Sequence, residues 1–152
     1  MRKHVMGAAL AAAMVCTMGM GLAGCGSGAP AASDNDSAMA AWSALEKADG
    51  SYTIDVTLQG GSGKASVASP AKLAAKDGAA TATLVWSSAN YDYMIVDDVK
   101  YTPQIKDNHS VFEIPVTVFD ADMPVKADTT AMSVPHEIDY TLHFDSSSMK
   151  EQ

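Results

Sequence analysis

Arginine occurs once in the 152 residues, at Arg2, and cysteine twice, at Cys16 and Cys25. Each scarcity removes a class of function. Beyond Cys25 there is no arginine, and eight lysines stand against 18 acidic residues, a net of −10. Nucleic-acid binding needs a basic footprint and commonly arginine forks, and neither exists here. Acidity of this kind chiefly supports solubility and keeps a domain off anionic surfaces. The absence of cysteine beyond Cys25 excludes an internal disulfide, a zinc-thiolate site and a cysteine nucleophile there, so stability must come from burial and strand pairing. Also missing are a phosphate loop in strand-to-helix context, a GxSxG elbow and an HExxH pair. The run Gly60-Gly61-Ser62-Gly63-Lys64 lacks P-loop spacing and reads as a turn. Asp97-Asp98 and Asp120-Ala121-Asp122 lack the EF-hand ligand pattern. The five methionines after Cys25 are scattered, not grouped as a soft metal requires. No nucleophile–base pair can be drawn, so the chain is not expected to be an enzyme.

What is present begins with an address. Arg2 and Lys3 precede an uncharged run from Val5 to Ala23, which closes on Leu22-Ala23-Gly24-Cys25. A basic start, an apolar stretch and small residues at the cut describe a secretory signal peptide over residues 1–24. The Leu-Ala-Gly-Cys stretch resembles the lipobox of bacterial lipoproteins, in which the cysteine is lipidated and becomes the new N-terminus. Lipidation is therefore expected at Cys25, with the protein on the extracytoplasmic face of a bacterial membrane, anchored and not spanning.

Residues 25–49 start small and polar, as a flexible tether does. They then allow a short helix capped at Asp36 or Ser37, with Met39, Trp42 and Leu45 on one side and Gly50 at its end. From Tyr52 the pattern alternates: Tyr52, Ile54, Val56 and Leu58 on one face, Thr53, Asp55, Thr57 and Gln59 on the other. Further short strands are expected over 64–70, 71–78, 79–86 and 93–103, the last a hairpin turning at Asp97-Asp98. Three more cover 111–119, 125–132 and 136–144. Pro115 marks an edge or a bulge. Seven or eight such strands in about a hundred residues suit one antiparallel sandwich over 50–146, with a disordered tail at 147–152.

Three histidines follow Cys25. His109 lies in a polar loop. On the last strand, period two sends His136, Ile138, Tyr140 and Leu142 to one face and His143 to the other. His136 and His143 therefore cannot share a metal on a regular strand. His136 and Tyr140 share a face about 13 Å apart in an extended chain, a span that suits a flat ligand and not a small ion. The plain alternative is a solvated strand-start histidine and a core tyrosine with its hydroxyl at the rim.

The stretches that carry these residues resemble the NEAT (near iron transporter) domain. Phe112, Pro115 and Val116 match its phenylalanine strand, Met123-Pro124-Val125-Lys126-Ala127 its following segment, and His136 to Tyr140 its closing YxxxY. The likeness covers about residues 51–145. It implies an all-β, immunoglobulin-like antiparallel sandwich and a haem or iron-bearing ligand passed to an iron-uptake transporter. In haem-binding members the first tyrosine of YxxxY ligates iron and the second supports it. Here His136 replaces the first, and Tyr140 keeps the second; histidine is a competent haem ligand. A serine-bearing helical lip in that family touches a propionate, which makes Ser87, Ser88, Tyr91 and Met94 the corresponding candidates. Some members bind no haem and act as protein-contact modules, the competing expectation.

Overall fold

The computed structural model describes residues 33–152 apart from 133 and 135. The expected signal peptide, Cys25 and most of the polar tether lie outside the described residues. Among those described, no helix is long and apolar enough to cross a membrane.

One helix, α1 (Ser33–Ser43), precedes nine strands: β1 (Gly50–Gly60), β2 (Ala71–Lys76), β3 (Ala79–Val85), β4 (Tyr91–Val96), β5 (Val99–Tyr101), β6 (Gln104–Lys106), β7 (His109–Pro115), β8 (Asp122–Thr129) and β9 (His136–Glu151). All pair antiparallel in one sheet, ordered β5-β4-β8-β9-β1-β2-β3-β7-β6. The sheet curls until β4 meets β7. The join is specific: Ser110 Oγ of β7 donates to the Tyr91 carbonyl of β4 at 2.7 Å. The result is a two-layered immunoglobulin-like sandwich whose inner faces form the core.

Alternation explains which side chains fill that core. Tyr52, Ile54 and Val56 of β1, Leu73 of β2, Ala82 and Leu84 of β3, and Tyr140, Leu142 and Phe144 of β9 all point inward. The hairpins turn without the usual glycine at Asp97-Asp98 (φ 47° and 67°) and at Asp107-Asn108 (φ 49° and 63°). Both residues of each pair occupy the left-handed region that a type I′ turn requires, which Asp and Asn tolerate better than other side chains. Pro115 ends β7 opposite Thr81, beyond Val111, where the short β6 stops pairing; its missing N–H thus falls where no β6 partner exists.

Five expectations need correction. The helix starts at Ser33 and stops well before Gly50, which opens β1. Its end is tightened by bonds from Leu45 N–H to the Trp42 carbonyl and from Glu46 N–H to the Ser43 carbonyl, with Glu46 at φ 50°. The inward pair is Ala38 and Trp42, while Met39 is 44% exposed. Trp42 packs 5.4 Å from the Tyr52 ring, so the helix belongs to the core and not to the tether. Residues 64–70 form no strand; only Val67 makes a bridge, to Trp86. Finally, 147–152 is no loose tail. β9 continues to Glu151, which pairs with Tyr52 after an irregularity held by Asp145, whose carboxylate accepts from the Ser147 N–H at 2.9 Å.

Candidate functional site

The curl of the sheet leaves a groove of about 230 Å³ at one end of the sandwich. Three connections border it. The β1–β2 connection supplies Ser62, Lys64 and Ala65; the β3–β4 connection supplies Ser87, Ser88 and Asn90; the β8–β9 connection supplies Ala131 and Met132. Tyr91, Thr129, Ile138 and Tyr140 complete the lining from the strand ends.

Tyr140 is the deepest polar group. It is 4% exposed, pairs across the sheet with Val125 and Gly60, and meets the Trp86 ring edge-on at 5.3 Å and 81°. Trp86 in turn lies 4.1 Å from the Tyr91 ring. Burial pushes the Tyr140 hydroxyl well above the ordinary tyrosine range, and a hydrogen bond shared with Tyr91 adds to the rise. The phenol is thus held neutral. Gly61, at φ 58°, crosses so near that no side chain fits: a Cβ there would lie 2.8 Å from Tyr140 Cε1.

Of the residues singled out in the sequence, the groove gathers Tyr140, Tyr91, Ser87 and Ser88. His136 does not line it. It opens β9 opposite Thr129, exposed, on the face shared with Ile138 and Tyr140, and so sits at the rim. Met94 is fully buried in β4, across from Ala127 and Tyr101, and is a core residue that does not face the groove. The segment 87–94 forms no helical lip: 87–90 is irregular and Tyr91 to Met94 is already strand. His143 turns to the other face, with Nδ1 3.4 Å from Asp122 Oδ1, as alternation requires. Among the described residues, no group of three or more His, Cys, Asp or Glu side chains could hold a metal ion.

Sequence reasoning passed over the lining residues of the β1–β2 and β8–β9 connections, and among them those of the glycine-rich run bring the charge. Read locally it is a turn; in the fold it doubles back and brings Ser62 and Lys64 to the groove, where Lys64 is the one cation of the described lining. The density of glycine, with Gly60, Gly61 and Gly63 all at positive φ, was the available signal.

The strand order and the curl define an immunoglobulin-like sandwich. The particular likeness is to the NEAT5 domain of IsdX2, a B. anthracis hemophore solved in complex with heme. The TM-score is 0.51 at 20% identity, covering 64% of this chain and 97% of that one. A point mutant of the same domain, also in complex with heme, matches with TM-score 0.51 and 20% identity over 65% of this chain and 97% of that one. No protein-family model and no curated protein sequence matches the chain.

Proposed function

We propose that the protein is a NEAT-type binding protein that captures haem, or a related iron-bearing ligand, in the Tyr140 groove for an iron-uptake system. The observation that carries this reading is the meeting of Tyr140, Tyr91, Ser87, Ser88 and Lys64 around one groove in a fold shared with a haem-bound domain.

The donor set suits such a ligand. Lys64, Ser87 and Ser88 offer a countercharge and hydroxyls for propionates, which answers the lack of arginine. Ala65, Ala131, Met132 and Ile138 offer apolar cover for a ring. Two groups on the β9 face can reach toward iron. Tyr140 from inside the groove and His136 from its rim are the two side chains that would hold the iron, and histidine and tyrosine are both competent haem ligands. At about 230 Å³ the groove is smaller than ordinary ligand pockets of ~300–1,000 Å³, so it would have to widen to take a haem. Attachment through Cys25 would hold the domain at the outer membrane face, facing a transporter.

A second reading has its own observation. Met132 is 65% and Val134 71% exposed on the β8–β9 connection beside the groove, as a protein-contact surface would be. Haemin titration separates the two. A saturable Soret shift that Lys64→Glu weakens supports capture; no shift at any haemin concentration leaves the contact module.

A further inference from the structure

A second concavity, of about 330 Å³, lies on the solvent side of β2, β3 and β7 and shares no lining residue with the Tyr140 groove. Outward positions of an antiparallel sheet with one solvated face are ordinarily polar. Here Val85 and Val111, direct cross-strand partners, form an apolar floor, with Pro70 beside them. Val111 is only 8% exposed although it stands apart from the hydrophobic core cluster, and it lies between this trough and the hollow it lines with Tyr101 and Gln104.

The two ends of the trough differ. At one, Lys72 is paired with Thr83 across the sheet. At the other, Lys106 stands with Asp107 and His109. His109 Nδ1 lies 2.7 Å from the Trp86 carbonyl, which only accepts, so the neutral ring carries its hydrogen there and Nε2 is an acceptor. A carboxylate would meet the Asp107 charge and that lone pair at the Lys106 end; at the Lys72 end it would meet an ammonium and a hydroxyl, with Glu113, opposite Thr83 on β7, outside the trough lining. Neither lysine forms a salt bridge among the described residues.

We infer that this trough binds an amphipathic monocarboxylate, its carboxylate at Lys72 and Thr83 and its aliphatic body over Val85 and Val111. Its volume falls in the range of small-ligand sites, ~300–1,000 Å³. The test is an amide chemical-shift titration of the ¹⁵N-labelled full chain with sodium decanoate. Saturable shifts are expected at Lys72, Thr83, Val85 and Val111. Lys72→Glu, at an exposed position, should raise the apparent Kd about tenfold, the loss of one charge-assisted contact, whereas Lys106→Glu should change it little. Decanol should bind more weakly than decanoate. Three results would overturn the inference: no shifts, shifts confined to the Tyr140 groove, or an unchanged Kd in Lys72→Glu. Dilution-dependent shifts at the same residues without decanoate would also overturn it, since the trough would then be a contact between copies of the chain.

Discussion

Gly61 and Tyr140 are in such close contact that the glycine backbone forms a wall of the tyrosine's pocket: a Cβ on Gly61 would stand 2.8 Å from ring carbon Cε1 and 3.0 Å from the hydroxyl oxygen. Gly61→Ala must therefore either displace the Tyr140 ring or move the β1–β2 connection, and the residue also sits at φ 58°. A loss of roughly 1–3 kcal/mol is expected in urea unfolding. Gly63→Ala, where nothing lies within 4 Å, should cost only the strain of its φ of 72°. Equal losses in the two variants would show that the Tyr140 contact is not felt.

The helix supplies the next prediction. Trp42 is 2% exposed and touches both Tyr52 and Phe119. Trp42→Ala should destabilise by about 3–5 kcal/mol in equilibrium unfolding. A fragment that starts at Gly50 should be less stable for the same reason. If that fragment unfolds at the same urea midpoint as the full chain, α1 is an ornament on the sandwich.

The outer face of β4, β8 and β9 predicts a pH dependence. Asp128 is 2% exposed, and burial raises its carboxyl above the ordinary 3.8, helped by a hydrogen bond and charge repulsion from Asp92 and by Glu137, with Lys100 opposing. A raised folded-state value means that the folded chain holds more protons than the unfolded chain above 3.8, so this group's contribution to stability falls as pH rises through that window. Asp128→Asn should raise the melting temperature at neutral pH, and the gain should vanish below the ordinary carboxylate range. Asp145 has the opposite sign: hydrogen bonds from Ser147 lower its value, so it stabilises above 3.8 and that contribution is lost on acidification. A melting temperature that Asp128→Asn lowers at neutral pH would contradict the first half.

Much of the scaffold was legible because its signals are local. Faultless alternation in β1 marked Tyr52, Ile54 and Val56 as inward, and parity on β9 separated Tyr140 from His143. The turn at Asp97-Asp98 could be read from two residues. What escaped depends on distant partners. β9 beyond Asp145 carries three serines and no alternation; it is a strand because Asp55 N–H bonds Ser148 Oγ at 2.8 Å and Tyr52 awaits Glu151. Lys64 reaches the groove only because the chain between Gly60 and Ala71 folds back; the glycines permit that return but do not specify where it leads. Met94 was placed by family position, whereas the register irregularity between Tyr91 and Tyr93 sets which β4 residues point inward.

Membrane attachment is a separate matter. Cys25→Ser should abolish acylation and move the protein from the membrane fraction to the soluble fraction, read by fractionation and intact mass. Continued attachment with unchanged processing would contradict a lipid anchor at that residue.

The most direct measurement is a haemin titration followed at the Soret band in the wild type and in three single variants. His136→Ala should weaken binding and alter the spectrum, because the iron would lose an imidazole donor. Tyr140→Phe should have a smaller effect on affinity, the outcome that its place at the second, supporting position of the YxxxY resemblance implies. His143→Ala, facing Asp122 on the opposite side of the strand, should match the wild type. Saturable binding with that ranking is the predicted result; absence of binding, or equal binding by the His136 and Tyr140 variants and the wild type, would contradict haem capture in this groove.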